Sequence, residues 1–338
     1  MQLFLEERKM EMIFGILSHS LHTQVYQMIN FKLAIPRVKI TMSETHMKTE
    51  DELARNPDLK KEDLVELRQW LRIQGHLSSI SEEDLTLFLH SCYYDVAKTK
   101  DCIEKYYNIR TTTPELFTKR DMELPENQKM LSVLNLAELP VKDPNGYHIL
   151  FHSLKQTEPS KYIFADAARV YLMMIDICIK HEGPSPGIVL LFDLTGVKFG
   201  HLRRLSLSLI RKFLVYLQEG LPVRLKAIHI LNVMSIMDYI MSVIKPFLSK
   251  ELLKLIHFHK GNNETVYEYL PKKCLPKDFG GELPTVAELD GTYSTILQHY
   301  HEYFKEDETS RANENGSHRR ENRLEDVPQS VLRSLVID

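Results

Sequence analysis

His257 and His259, in the run LIHFH, stand two apart, a spacing at which side chains can do chemistry together. On a strand, residues i and i+2 share a face, so the pair could offer two nitrogens to a metal ion. A closed metal site needs further ligands, and no other metal-ligating residue is evidently placed to join them. A satisfied structural pair is the simpler reading, and we expect no metal. Asp193, at the end of the apolar run GIVLLFDL, could serve as a carboxylate catalyst. The sequence has no G-x-S-x-G elbow, no G-x-x-x-x-G-K-[ST] loop and no H-E-x-x-H pair, so we expect no catalytic residues, no enzyme activity and no cofactor. Cys92, Cys102, Cys178 and Cys274 are scattered without a C-x-x-C spacing, which reads as free thiols in a reducing compartment.

The wider composition is that of an ordinary globular protein, with 43% hydrophobic and 26% charged residues among 338. A net charge of -3 argues against nucleic acid as a partner and leaves any attraction to an anionic surface to a local basic cluster. No stretch approaches the ~20 apolar residues that span a bilayer. The early run MIFGIL is too brief, and wrongly flanked by charge, for a secretory signal. A cytoplasmic monomer that touches membranes transiently from one side is the expectation.

The elements follow from periodicity. Residues 1–46 show no period and read as a poorly ordered extension. In 47–120, Leu64, Leu67, Trp70 and Leu71 form one helical stripe, Ser81 with Asp84 makes a capping box, and Ile103 and Tyr106 mark a third helix, giving a small all-helical module. Residues 121–145, with Pro125 and Pro140, read as a linker. From 146 to 285 strands and helices alternate: YHILFHSL, a helix over 161–181, GIVLLFDL, an amphipathic helix over 201–219, KAIHILN, a further helix and LIHFH. That alternation calls for a mixed, largely parallel α/β sheet. The helix over 201–219 should turn Leu202, Leu205, Leu209 and Tyr216 inward and Arg203, Arg204, Arg211 and Lys212 outward. A final helix over 286–305 and a mobile polar tail over 306–338 complete the chain.

Two helices are more apolar than a surface helix needs. Tyr171, Met174, Ile175 and Cys178 lie on one that is apolar over most of its circumference, so it is buried or faces a ligand. The other follows Asn232, where Ser235, Asp238, Ser242 and Lys245 form a single narrow polar stripe. Ile236, Met237, Tyr239, Ile240, Met241, Val243 and Ile244 are apolar, as are Phe247 and Leu248 beyond the kink at Pro246. Such a helix has two apolar surfaces to satisfy. It is either a core helix or a lid with one face on a cavity and the other available to a bilayer.

The blocks FLVYLQEGLPVRLKAIHILN, VIKPFLSKELLKLIHFH and LPKDFGG, with FLHSCYYDV, IEKYYNIR and FDLTGVKFGH in order before them, resemble the CRAL-TRIO lipid-binding family. The likeness runs from about Leu64 to Phe304 and looks closest to the alpha-tocopherol transfer protein-like and retinaldehyde-binding branch. It implies a helical module packed on an α/β domain that carries one tocopherol, retinoid or phospholipid-like molecule in a closed cavity. Carried over by position, the cavity lining includes Phe192, Leu194, Tyr216, Leu217, Leu225 and Ile228, beside Tyr171, Met174 and Ile175. The lid carries Ile236, Ile240, Val243, Ile244 and Phe247. Asp193 matches a family position with no catalytic role. The resemblance also implies a basic cluster for a phosphoinositide head group. Arg224 and Lys226 match it, and Lys245, Lys250 and Lys254 offer a shifted remainder, because Cys92, Glu251 and Leu255 stand where the family has basic residues. The alternative function is a phosphoinositide-binding membrane or protein-interaction scaffold.

Overall fold

A computed structural model describes residues 49–308, apart from 76, 78–79, 234–235 and 262–263. The expected extension over 1–46 and all but the start of the expected tail lie outside the described residues.

Helices α1 (Thr49–Arg55), α2 (Lys61–Arg72), α3 (Glu82–Ser91) and α4 (Val96–Thr112) form the N-terminal module. Their starts follow local chemistry. Ser81 accepts a bond from the Asp84 amide and Asp95 accepts one from the Lys98 amide, so each side chain satisfies a backbone donor that the first turn leaves free. The helical stripe does what its spacing predicts: Leu64, Leu67 and Leu71 pack with Leu85, Phe88, Leu89 and Ile103 in one buried cluster.

The segment expected to be a linker is structured. After a single turn, α5 (Pro114–Phe117), Pro125 opens helix α6 (Pro125–Val133), which runs straight into strand β1 (Leu134–Glu138). Proline at the first helical position costs nothing, since its missing N–H would have had no intrahelical partner. Its presence was therefore no evidence for a loop.

Strand β2 (His148–Leu154) pairs antiparallel with β1, and β3 (Ile188–Asp193), β4 (Leu225–Leu231) and β5 (Ile256–Phe258) add in parallel, in the order β1-β2-β3-β4-β5. Helix α7 (Phe164–Glu182) connects β2 to β3 and stops at Gly183, whose φ of 60° lies in the region glycine reaches most cheaply. The expected helix over 201–219 is instead broken into α8 (Phe199–Leu202), α9 (Leu207–Val215) and one π turn (Tyr216–Gly220), because Ser206 caps a new start at the Leu209 amide. Arg203 and Arg204 thus sit in the exposed turn between helices.

Between β4 and β5 come α10 (Ile236–Ile244), a tight turn at Lys245–Phe247 and α11 (Lys250–Lys254). Helix α12 (Val286–His299), opened by a Thr285–Glu288 capping box, covers the free edge of β1. There the Asp290 carboxylate accepts the Leu136 amide at 3.0 Å, so an edge strand that would otherwise expose a donor is closed.

Module and sheet domain share a buried ionic joint. Arg110 on α4 donates to Tyr216 Oη at 2.9 Å and pairs with Asp176 of α7 at 3.1 Å. Arg120 pairs with the same carboxylate and with Asp307 at 2.8 Å. Burial pushes the Asp176 carboxyl up, but the two guanidinium groups outweigh it and hold it below its ordinary range. Asp307 and Glu308, expected in a mobile tail, are helical, and Glu308 accepts the amides of Lys119 and Arg120.

Candidate ligand cavity

Strand register determines which side chains share the working face of the sheet. Leu150 pairs with Leu190 and His152 with Phe192, while Leu190 pairs with Ile228 and Phe192 with Ile230; Ile256 and Phe258 continue these rows. By the alternation of strands all these residues point one way. Accessibility on this face rises toward the C-terminal ends of the strands. Leu190 is buried and Phe192 half-buried; Ile228 is buried and Ile230 half-buried; Ile256 is half-buried and Phe258 is 39% exposed. Apolar residues at the centre of a parallel sheet are ordinarily covered on both faces. Here the cover is incomplete at one end.

Helix α7 crosses that face. The Tyr171 ring centroid lies 5.6 Å from His152 and 5.4 Å from Phe192, and His152 lies 5.6 Å from Phe192. Burial lowers the His152 pKa to about 4, so the ring is deep and uncharged at neutral pH, yet the residue keeps accessible surface. Tyr162 behaves alike: burial drives its phenol well up while the residue stays half-buried. The Tyr171 hydroxyl is enclosed and has no hydrogen-bond partner among the described residues. A buried hydroxyl without a partner costs about 1–3 kcal/mol, so its position calls for an explanation.

Helix α10 presents half-buried Ile240, Met241, Val243 and Ile244, while Asp238, Ser242 and Lys245 of the polar stripe are exposed. Ile236 begins the helix; its side chain and Ser235 lie outside the described residues. The Tyr239 ring, 48% exposed, lies 5.0 Å from that of Phe199, 50% exposed, and Leu207 is 53% exposed. These three large apolar side chains, with exposed Arg203 and Arg204, belong to α8, the turn after it, α9 and α10.

Polar contacts fasten both ends of the segment that carries α10. At its start the Val233 amide donates to His259 O at 3.1 Å. Asn232, in the left-handed region at φ 53°, donates from Nδ2 to Asp193 Oδ1 at 2.7 Å and to Thr195 Oγ1 at 2.9 Å. Asp193 therefore braces the start of the segment that leads into α10. At its end Gln218 donates to Phe247 O at 3.1 Å and accepts the Ser249 amide at 2.7 Å.

Several expected lining residues fall elsewhere. Tyr216 is fully enclosed against Phe117 and Tyr106 and belongs to the ionic joint, because the π turn directs its ring to the module. Met174 and Ile175 are completely buried and leave no surface for a ligand; the Met174 carbonyl accepts Tyr293 Oη of α12. Leu217 is buried in the π turn, Leu225 sits at the opposite, N-terminal end of β4, and half-buried Leu194 lies just past β3. Tyr171, Phe192 and Ile228 share the face. His152 and Tyr162 were missed; the signal for His152 was a polar residue in phase with Leu150 along HILFHSL.

The basic residues divide in the same way. Arg224 donates from Nε and Nη2 to His90 O at 2.9 and 2.6 Å and lies 4.2 Å from the Tyr93 ring centroid. Lys226 donates to Tyr93 Oη at 2.8 Å. Both cations are thus engaged with the helical module. Lys245, Lys250 and Lys254 are exposed around the end of α10 and on α11.

Two titratable clusters lie off this face. His229 Nδ1 and His259 Nε2 are 3.0 Å apart, His259 Nδ1 meets Thr265 at 2.8 Å, and His257 stacks on His229 at 5.0 Å. Burial, then the neighbouring histidines, lower the His229 pKa to about 3, and burial also lowers that of His259, so these two rings form a neutral hydrogen-bonded pair with Thr265. Glu138, His148 and Cys178 bring their ligand atoms within 4.8 Å of one another. His148 Nδ1 lies 2.7 Å from Glu138, and Nε2 lies 3.1 Å from Glu182, the latter an ion pair without hydrogen-bond alignment. Burial pushes the ring down, but the two carboxylates outweigh it and raise it to about 9, so the imidazolium itself is the cation of this cluster.

Comparison with known proteins agrees with this architecture. The CRAL/TRIO domain matches residues 136–281, and the Pinta-like UBA domain matches residues 56–127. The chain is 30% identical over 257 residues to a mouse (Mus musculus) protein named "Alpha-tocopherol transfer protein-like", covering 74% of this chain and 73% of that one. It is 25% identical over 244 residues to "Clavesin-1" of Xenopus laevis, covering 71% and 74%. The solved structure titled "Crystal structure of Sfh5" is similar with a TM-score of 0.43 and 13% identity, over 67% of this chain and 81% of that one. The chain belongs to the CRAL/TRIO domain family, with a helical module of the Pinta-like UBA type before the sheet domain.

Proposed function

We propose that this protein carries one lipophilic molecule between the incompletely covered face of its sheet and helices α7, α9 and α10, and exchanges it with membranes through the α10 lid. The observation that carries this reading is that half-buried His152 and Phe192 meet the buried ring of Tyr171, whose enclosed hydroxyl has no partner among the described residues. The relatives named for tocopherol transfer support it.

The physics suits a carrier. Each methylene moved into water costs about 0.8 kcal/mol, so a chain of ~12 carbons meets about 10 kcal/mol on leaving a bilayer. A closed apolar cavity replaces those contacts, and a lid that leans on the membrane lets the molecule pass without meeting water. Phe199, Leu207 and Tyr239, flanked by Arg203 and Arg204, form the surface we assign to that contact. Because His152 is neutral, the polar end of the cargo needs no counter-charge: a hydroxyl or carbonyl oxygen fits His152 and Tyr171 Oη, whereas a buried carboxylate would go uncompensated. The scaffold alternative draws less support, since Arg224 and Lys226 are already held by His90 and Tyr93.

Organic extraction and mass spectrometry of protein purified from cells tests the reading directly. A neutral lipophile at about one per chain is expected, and it should move from labelled donor vesicles to acceptors in proportion to protein. Recovery of no lipophile, together with no pick-up of neutral lipophilic alcohols or carbonyl compounds from vesicles, would overturn it.

A further inference from the structure

One side chain ties the end of the α10 segment to the rest of the domain. Of residues 245–249, only Phe247 and Ser249 hydrogen-bond beyond the stretch 236–254 among the described residues, and both reach Gln218. Its Nε2 donates to Phe247 O at 3.1 Å, and its Oε1 accepts the Ser249 amide at 2.7 Å. The second Nε2 hydrogen goes to Leu214 O at 2.9 Å. Phe247 O and Leu214 O can only accept and the Ser249 amide can only donate, so a single orientation of the Gln218 amide satisfies all three. The start of the segment is held differently, by the Val233 amide on His259 O just past β5 and by Asn232 on Asp193 and Thr195.

Gln218 belongs to the π turn, which the Leu221 amide closes on Tyr216 O at 2.8 Å, and α4 of the module grips the rest of that turn. Tyr216 Oη accepts from Arg110, Glu219 pairs with Lys105, and the Cys102 thiol lies 3.7 Å from Gly220 O. Gly220 packs so closely that a Cβ there would lie 3.2 Å from the Tyr106 amide nitrogen. Just before the turn, Lys212 donates to Thr112 O at the end of α4 at 3.0 Å. The turn thus has two sides: Tyr216, Glu219 and Gly220 engage the module, and Gln218 among them holds the end of the α10 segment. Such an extra residue wound into a helix recurs at functional sites.

We propose that Gln218 is a positioning residue for cargo exchange, a latch that keeps the end of α10 down, and that the helical module sets this latch by gripping the π turn. Contacts from α4 fix Tyr216 and Gly220, each two residues from Gln218; the Gln218 amide then fixes Phe247 and Ser249. Two hydrogen bonds from a half-buried amide are a modest hold, about tenfold in an opening equilibrium, so the segment can open while the domain stays folded. The module is on this account a regulator of release. The latch rests on the contacts alone; its effect on exchange rests on the membrane-exchange reading above.

Hydrogen–deuterium exchange of the full, ligand-free chain reads the latch with no cargo present. Q218A should speed exchange of peptides spanning 236–249 about tenfold and leave those of β2 and β3 unchanged. Y216F, which removes the acceptor for Arg110, should speed the same peptides by a smaller factor. The double variant should exchange there no faster than Q218A alone, because the module acts through this one amide. If Y216F loosens the whole domain, K105E takes its place, and the charge swap K105E/E219K should restore the wild-type pattern. Unchanged 236–249 peptides in Q218A overturn the latch. Additive effects in the double variant, or acceleration confined to α4 and the π turn, overturn the module's part in it. A fluorescent long-chain alcohol is then followed between phosphatidylcholine vesicles, and Q218A should deliver it several-fold faster than the wild type. An open 236–249 segment with transfer at the wild-type rate overturns the link to release. No transfer by either protein overturns the carrier reading and the latch's role in exchange, while hydrogen exchange still decides the latch itself.

Discussion

The joint beneath the sheet and the space at its upper end handle buried polar groups in opposite ways. At the joint, Arg110, Arg120, Asp176, Asp307 and Tyr216 pair charge with charge, and two arginines share each carboxylate, while Nε of both arginines is left without an acceptor among the described residues. At the C-terminal ends of the strands, Tyr171 Oη has no partner among the described residues, and His152 is deep without a compensating charge. The first arrangement fixes two bodies in one geometry. The second leaves hydrogen-bonding capacity in an apolar setting, which is what a site for a mostly apolar molecule with one polar end requires.

The largest effect should come from breaking the charge-paired side. Asp176→Asn keeps the shape but leaves two buried guanidinium groups with half their anionic charge, and a loss of about 3–5 kcal/mol in urea unfolding is expected. A loss below about 1 kcal/mol would mean that the joint is open to water and that the contrast is overstated. Ile240→Asp then probes the other side. If α10 is a lid, stability should fall by no more than about 1 kcal/mol while transfer between vesicles drops at least about tenfold. An unfolded variant would make α10 a core helix.

Tyr171→Phe gives the sharpest reading of the contrast, because its two effects should have opposite signs. Removing a buried hydroxyl that has no partner should raise the stability of the ligand-free protein by about 1 kcal/mol. Removing a hydrogen bond to the cargo should weaken binding by about 1 kcal/mol, roughly five-fold. A destabilised free protein would show that the hydroxyl is satisfied after all.

Much of this was legible in the sequence, for identifiable reasons. The alternation of strand-like and helix-like runs gave the sheet, and the ordered blocks from FLHSCYYDV to LPKDFGG gave the family. The polar stripe of α10 was read from spacing alone, and its described members, Asp238, Ser242 and Lys245, are indeed exposed. What failed depended on pairing across the chain. Strand β1 was hidden because LNLAE is short and follows directly on a helix opened by proline. Tyr216 was carried over to the lining by its position in the family blocks, but here the helix ends in a π turn that directs its ring toward Arg110. Arg224 and Lys226 were read as available charge, and only the fold brings His90 and Tyr93, more than 130 positions earlier, onto them.

A smaller, pH-dependent effect follows from the third polar cluster, which resembles the joint in pairing buried charges but differs in that its cation titrates. His148 lies between Glu138 and Glu182, and its folded pKa is raised to about 9 from an unfolded value near 6.5. A raised pKa means that the folded state holds the proton more tightly, so the contribution is full below about 6.5 and disappears as pH rises through about 9. Glu182, lowered to about 2 chiefly by its contact with His148, contributes above about 4.5 and loses that contribution as pH falls through about 2. The cluster is therefore fully stabilising between about 4.5 and 6.5 and weakens on both sides. Glu182 is partly exposed, and solvent screening keeps the basic-side loss to about 1 kcal/mol. Urea midpoints measured from pH 6 to 9.5 should fall for the wild type. His148→Gln should start lower and stay flat over that interval, since it has no proton to lose there; an equal slope in both would assign the titration to another group and leave His148 neutral in its pocket.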